Sequence, residues 1–329
     1  MKKTLDKKIK NIINGNYKYD DFIIADAKDA DMGGGIPAPG NKRDKSGKLF
    51  NEYKNLDSYL KSIESITRSK LVDIMLMSAS NAERLVQKGL FKNSTVTPAV
   101  RMNDTTDIWG IRHGGYQKEI ALPFRTARVK TIKKIANLGL FSITFSKNLK
   151  FDLDMLNAYR NFREEAVQNN FDYFLEVFNP QTKTGLSQIQ LGEYINDCIL
   201  KTLAGQVRNE RPLFLKIAYN GPKAMEELAS YDPGNLIVGI LGGGKGTTRD
   251  CFELISKSSK YGAKVALFGR KINLAEDQDS ILKTMRHVIK GMSSIDGVKY
   301  YHDQLLKKKI KPDLLLDKDS KITEKVLKL

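Results

Sequence analysis

The sequence is poor in the residues that build metal sites and disulfide frameworks. Its 329 residues include only two cysteines, Cys198 and Cys251, and three histidines. Both cysteines fall inside helical patterns, which favours small buried thiols over a disulfide or a metal-binding pair. The histidines, His113, His287 and His302, lack the H-x-x-x-H or comparable spacing of a metal site. We therefore expect a site without a metal or another cofactor.

Long apolar runs are also missing. No run approaches the roughly 18 residues that a membrane span needs, and the N-terminal stretch MKKTLDKKIKNIINGNYKYD has basic residues but no apolar core of a signal peptide. These absences predict a soluble, cytoplasmic protein without a membrane partner. Because 41% of the residues are hydrophobic, the chain can nevertheless bury a full core.

The formal net charge of +17 is compatible with nucleic acid, a membrane surface or anionic metabolites as partners. The lysines, however, are spread along the chain among acidic residues, and only KKKIKP (307–312) forms a dense run. The sequence has no basic stripe with interleaved aromatic residues, no zinc-finger pattern and no RNA-recognition pattern. We therefore expect no nucleic-acid partner.

Short apolar or β-branched runs alternate with helical patterns along the chain. The strand candidates are residues 22–28, 73–80, 96–102, 140–146, 173–179, 213–220, 236–243 and 264–270, and helical patterns lie at 56–70, 126–139, 191–207 and 221–231. Apolar strands separated by crossover helices predict an α/β protein with a parallel sheet. Eight such units close a (β/α)8 TIM barrel. We expect one domain over 1–329, with a barrel core at about 20–292 and a C-terminal helical extension at 293–329.

Two long loops follow strand candidates one and three, at 29–55 and 103–124. A TIM barrel places its chemistry at the carboxyl ends of its strands, so we interpret these loops as lids over the site. A doubly wound open sheet is the alternative fold. It requires a G-x-G-x-x-G pattern after the first strand, but GGGIPAPG (33–40) has prolines where a helix should begin.

Lys216 stands within the otherwise apolar strand candidate LFLKIAYN. A charged side chain in such a strand must be paired or neutral. Burial and a neighbouring cation lower the pKa of a lysine, and a neutral amine attacks carbonyl groups. Lys147, after strand four, is the candidate for that cation. Glu176 and Asp26 are predicted to move protons and hold hydroxyls, and Tyr219 offers a phenol near the barrel mouth. A purely structural Lys216–Glu176 ion pair is the alternative.

The stretch VGILGGGKGTTRD (238–250) nearly matches a nucleotide-binding P-loop, but Gly246 stands where that pattern needs the Ser or Thr that binds Mg²⁺. Backbone N–H groups before a helix suit any phosphate. The candidate phosphate-binding residues in this stretch are Gly242, Gly243, Gly244, Lys245, Thr247 and Thr248. A glycine-rich turn without a ligand is the alternative.

YFLEVF, followed one crossover later by LFLKIAYNG and then by the glycine-rich loop and ALFGRKI, resembles the class I (Schiff-base) aldolases of the TIM-barrel superfamily. Within it, the sequence is most similar to the tagatose-bisphosphate, archaeal-type fructose-bisphosphate and deoxyribose-phosphate aldolase-like proteins. The motifs span residues 173–275. The resemblance implies a metal-independent aldehyde-lyase that acts on a phosphorylated carbonyl substrate, and barrels of this superfamily tend to be homo-oligomers.

The resemblance also implies roles for individual residues. Lys216 matches the imine-forming lysine, Glu176 the glutamate of proton transfer, and Asp26 the acidic residue at the end of strand one. Residues 243–248, together with Gly269 and Arg270, match the phosphate site after strands seven and eight.

The sequence departs from the family at ADAKDADMG in strand one and in its long loop after strand three, so the substrate stays open. An isomerase or synthase that uses Lys216 as an acid–base group is the main alternative function. A non-enzymatic protein and a nucleotide-binding protein are further alternatives. A P-loop ATPase, however, needs a strand that ends in an Asp for Mg²⁺, and KVALFGRK lacks one.

Overall fold

Eight parallel strands close into a barrel in the computed structural model, which describes all residues from 1 to 329. The strands β1 to β8 are Ile23–Lys28, Ile74–Met77, Thr97–Arg101, Leu138–Thr144, Asp172–Phe178, Leu215–Ile217, Val238–Leu241 and Val265–Phe268. The barrel is closed because β1 pairs with both β2 and β8. Each predicted strand overlaps an observed one, so the predicted TIM barrel is confirmed and the open sheet is excluded.

Thirteen helices surround and extend the barrel. They are α1 Thr4–Ile13, α2 Ala30–Gly34, α3 Leu56–Ser69, α4 Ala79–Gln87, α5 Val129–Ile132, α6 Leu149–Gln168, α7 Gln188–Ala204, α8 Pro222–Tyr231, α9 Thr248–Lys260, α10 Arg270–Asn273, α11 Gln278–Ile289, α12 Ser294–Lys307 and α13 Leu316–Asp319. The helix predicted at 126–139 is wrong in length, because only α5 is helical and residues 138 and 139 already belong to β4. None of the helices combines the length and apolar character that a membrane crossing requires.

Alternate residues of each strand face the barrel interior, as the pleat of a strand requires. Along β1, Ala25 and Ala27 belong to the apolar cluster that fills the barrel, whereas Ile24 belongs to the larger cluster between barrel and helices. Leu5 and Ile12 of α1 join the interior cluster. Helix α1 therefore closes the amino end of the barrel, and polar side chains of inward-facing positions collect at the carboxyl end.

The two long loops lie at the carboxyl end and contain short elements of their own. The loop after β1 holds α2 and a hairpin of Asn41–Arg43 with Leu49–Tyr53. In the loop after β3, Asp104–Thr105 pairs with Pro123–Phe124. The loops contact each other, since the Gly110 N–H donates to the Gly33 carbonyl at 2.7 Å.

The predicted C-terminal extension consists of α12 and of the residues after it, which include α13. Helix α12 packs against α9 and α11. Beyond it, the residues from 308 to 329, which we call the C-terminal segment, return to the amino end of α9, where Leu327 is buried in the main core. This segment therefore lies against the glycine-rich loop that precedes α9.

Candidate active site

Lys216 of β6 and Glu176 of β5 occupy paired positions of two neighbouring strands. Both face the interior, because they share the side of the strand with Phe214 and Phe174 of the interior cluster. Lys216 is 5% exposed and Glu176 is 1% exposed. The lysine Nζ contacts the Glu176 Oε1 directly. The structure thus brings the two central predicted residues together in a buried pair at the carboxyl end of the barrel.

Arg101, at the end of β3, holds the other side of Glu176. Its Nη2 donates to Glu176 Oε2 at 3.1 Å, and its Nη1 donates to the Ser142 hydroxyl at 2.9 Å. Its Nε contacts the Asp29 carboxylate. Burial alone would lower the pKa of the Arg101 guanidinium, but Asp29, Asp104 and Glu176 together hold that pKa above its usual value. Arg101 is therefore a permanent cation in the centre of the site.

Arg101 was missed at the sequence level, although a signal was present. VTPAVRM ends an apolar strand with a charged residue, which is the argument that singles out Lys216. Asn103 then fixes the strand end, because its amide donates to the Ser142 carbonyl at 2.7 Å and accepts from the Ser142 N–H at 2.6 Å.

Asp104 is the carboxylate of this cluster with a free oxygen. Its Oδ1 lies 3.4 Å from Arg101 Nη1, whereas its buried Oδ2 has no hydrogen-bond partner. Burial raises the pKa of Asp104 to about 6, with Arg101 lowering it and Glu176 and Asp29 raising it further. Asp104 can therefore gain or lose a proton near neutral pH.

Asp26 lies on the opposite face of β1 from the position expected for it. It pairs in register with Met75 and Phe268, which belong to the outer cluster. Its carboxylate forms a fully buried ion pair with Lys28 at 2.8 Å. The physical reason is strand parity, because Asp26 shares a face with Ile24. The acidic residue that reaches the group of Lys216, Glu176 and Arg101 is Asp29, directly after β1, whose carboxylate contacts Arg101.

Lys147 and Tyr219 also lie outside the polar group formed by Lys216, Glu176 and Arg101. Lys147 is exposed, and its Nζ donates to the Thr184 carbonyl at 3.2 Å. The cation next to the Lys216–Glu176 pair is Arg101 instead. Tyr219 packs in the outer cluster, and burial, with the charges of Tyr261 and Glu253 beside α9, raises the pKa of its phenol. Tyr219 therefore packs between the barrel and its helices rather than in the barrel interior with Lys216.

The glycine-rich loop presents five consecutive backbone N–H groups, at 242–246, that donate to no group of the chain. Gly243 has a φ of 64°, which only glycine adopts without strain. A Cβ on Gly243 or Gly244 would have no neighbour within 4 Å, so open space lies beside them. Arg270, at the start of α10, is exposed and has no ion-pair partner. These groups can hold an anion.

The other predicted phosphate ligands are engaged by the C-terminal segment. Lys245 forms an ion pair with Asp313, which also binds Arg43. The Thr247 hydroxyl donates to the Lys321 carbonyl at 2.8 Å. The structure thus leaves the backbone N–H groups of residues 242–246, together with Gly269 and the Arg270 side chain, as the open part of the predicted phosphate site.

The fold is similar to those of solved fructose-bisphosphate aldolases. An archaeal fructose 1,6-bisphosphate aldolase is 16% identical, with a TM-score of 0.63 over 87% of this chain and 99% of that one. A Schiff-base-forming fructose-1,6-bisphosphate aldolase analysed through its reaction intermediates is 17% identical, with a TM-score of 0.63 and the same two coverages. The fructose-bisphosphate aldolase from Slackia heliotrinireducens DSM 20476 is 10% identical, with a TM-score of 0.63 over 92% of this chain and 90% of that one.

No protein-family model and no curated protein sequence matches the chain. The likeness to the solved aldolases therefore concerns the fold, and at that level the predicted resemblance is confirmed.

Proposed function

We propose that the protein is a class I aldolase, which makes or breaks a carbon–carbon bond of a phosphorylated carbonyl compound through an imine on Lys216. The observation that carries the proposal is the buried contact of Lys216 with Glu176 at the carboxyl end of the barrel. A lysine amine becomes a nucleophile when a neighbouring base takes its proton. The aldolase-type fold supports the proposal.

In this chemistry Glu176 accepts a proton from the Lys216 ammonium, and the amine attacks the carbonyl carbon of the substrate. The proton then leaves with the former carbonyl oxygen as water, and an iminium remains. When the carbon–carbon bond breaks, the iminium nitrogen takes up the bonding electrons, and a base removes the hydroxyl proton of the departing aldehyde. Protonation of the resulting enamine and hydrolysis return Lys216. Acid–base assistance of this kind contributes roughly 10²–10⁴ in rate.

The open N–H groups at 242–246 and the free guanidinium of Arg270 are the groups that we propose for the phosphate. Anchoring the phosphate there lets binding energy position the reacting carbon against Lys216. The P-loop alternative lacks support, since Thr247 caps α9 through Asp250 and Lys321, and Gly246 offers no hydroxyl for Mg²⁺.

Covalent trapping tests the proposal. Incubation with dihydroxyacetone phosphate and sodium borohydride is expected to add one reduced adduct at Lys216, located by peptide mass spectrometry. Lys216→Ala should not be trapped, whereas Lys147→Ala, which removes an exposed lysine after β4, should be trapped like the wild type. Full trapping of Lys216→Ala at another residue would contradict the assignment. Turnover of a sugar phosphate without any adduct would favour the acid–base isomerase or synthase.

A further inference from the structure

We propose that Arg101 is a positioning residue of this site, which holds Glu176 against Lys216 and supplies the positive charge that lets Lys216 become a neutral amine. The inference rests on the proposed function, because it assumes that Lys216 forms an imine. The sequence marks Arg101 only as a charged residue at the end of an apolar strand, and its contacts indicate the role.

The first step is geometric. Glu176 uses Oε1 for Lys216, while its Oε2 accepts from the Ser142 hydroxyl at 2.8 Å and from Arg101 Nη2 at 3.1 Å. The carboxylate is therefore clamped on the side opposite to the lysine. Arg101 in turn is fixed by Asp29 at its Nε and by Asp104 near its Nη1. A guanidinium with partners on both edges cannot swing away from Glu176.

The second step concerns charge. The cluster contains two cations, Lys216 and Arg101, and three carboxyl groups, Glu176, Asp29 and Asp104. When the pair loses a proton to the solvent before the substrate binds, Lys216 becomes a neutral amine, and Glu176, still a carboxylate, keeps Arg101 as a partner. Without Arg101, the same step would leave a buried carboxylate with no cation beside it, which is strongly unfavourable. Arg101 thus favours the neutral form of Lys216.

The third step concerns the sign of the charge that a substitution removes. The charged groups that face Arg101 are the carboxylates of Asp29 after β1, Asp104 after β3 and Glu176 on β5. Its other partners, the Ser142 hydroxyl and the Asn103 carbonyl, are neutral. Removal of one of its carboxylates should therefore act in the opposite direction from removal of Arg101, because it leaves the cluster more positive. A residue that only fills space would produce no such pair of opposite effects.

The pH dependence of trapping tests the inference. The initial rate of adduct formation with dihydroxyacetone phosphate and cyanoborohydride is measured from pH 6 to pH 10 for wild type, Arg101→Gln, Arg101→Lys and Asp104→Asn. We expect the half-maximal pH to rise by about 1–2 units in Arg101→Gln, the size of the effect of one nearby charge. Arg101→Lys should restore most of the wild-type profile, and Asp104→Asn should lower the half-maximal pH.

The outcomes separate the two proposals. If wild type is trapped at Lys216 and folded Arg101→Gln has the wild-type half-maximal pH, the role of Arg101 is wrong and the aldolase proposal stands. If Arg101→Gln does not fold, as circular dichroism would reveal, Asp104→Asn decides, and an unchanged or raised half-maximal pH in that variant overturns the inference. If wild type forms no adduct at all, both proposals fall.

Discussion

The Asp319 carboxylate accepts a hydrogen bond from the backbone N–H of Thr248, with 2.7 Å between Oδ1 and the nitrogen. Its second oxygen lies 2.8 Å from His302 Nε2. A carboxylate at the first turn of a helix satisfies a free N–H group and interacts favourably with the helix dipole. A residue 71 positions away in the sequence therefore caps α9, and the C-terminal segment is part of the stability of the barrel.

Asp319→Ala should lower the free energy of unfolding by about 1–2 kcal/mol, the usual cost of a lost helix cap. Burial raises the pKa of Asp319, but the hydrogen bonds from His302 and Thr248 outweigh it and hold the pKa below its ordinary 3.8. A lowered folded-state pKa adds stability above the ordinary value, and this stability is lost as the pH falls through the folded-state value. Urea unfolding at pH 7 and at pH 3 should therefore give a clear difference between variant and wild type at pH 7 and a smaller one at pH 3. A difference that grows on acidification would contradict this account.

Asp26 is expected to matter for stability rather than for chemistry, because it lies on the outer face of β1 and not in the barrel interior. Asp26→Leu leaves Lys28 buried without a partner and should lower the free energy of unfolding by about 3–5 kcal/mol. The double variant Asp26→Leu with Lys28→Met removes both charges and should regain most of that loss. Thermal unfolding of the single and the double variant measures these changes in stability. Adduct formation at Lys216 should persist in the double variant, and its disappearance would return Asp26 to the site.

Gly244→Val tests the proposed phosphate site. The new side chain meets no protein atom within 4 Å of its Cβ, so the fold should be kept while the open space beside the N–H groups is filled. We expect calorimetry to show binding of a sugar phosphate weakened by about 1–3 kcal/mol, the scale of one or two charge-assisted hydrogen bonds. Gly234→Val is the matched control, since Gly234 is equally free of neighbours but distant from the loop. Tight, Mg²⁺-dependent binding of ATP without binding of sugar phosphate would instead support a nucleotide site.

The loops at 29–55 and 103–124 should exchange backbone hydrogens more slowly when substrate is bound. They carry large exposed apolar side chains, which closure over a ligand would bury: Leu49, Phe50, Tyr53, Tyr116 and Leu122. Closing loops exclude water from a site. Hydrogen exchange read by mass spectrometry, with and without dihydroxyacetone phosphate, measures this, and α11 provides an internal control that should not change. Equal exchange of both loops in the two states would remove their proposed function as lids.

The barrel could be predicted from the sequence because each strand is a short apolar run. Such a run indicates a buried strand whichever side chains pack against it. The closeness of Lys216 and Glu176 could also be inferred, since neighbouring parallel strands align similar depths. The face of a strand is harder to infer where both faces are buried. For this reason Asp26 was placed inside, although Asp29 reaches the interior. Asp313 and Asp319, the partners of Lys245 and Thr248, lie about 70 positions away in the sequence. No local sequence pattern indicates such distant contacts.

Helix α1 gives the barrel a closed floor, since Leu5 and Ile12 belong to the interior cluster. A substrate can therefore reach Lys216 only from the carboxyl end of the barrel. For the proposed aldol synthesis this imposes an order of events. The carbonyl compound that forms the imine occupies the deepest position and must enter first, and the acceptor aldehyde arrives above it. Because the second substrate blocks the exit of the first, the initial-rate kinetics of the condensation should follow an ordered sequence of addition.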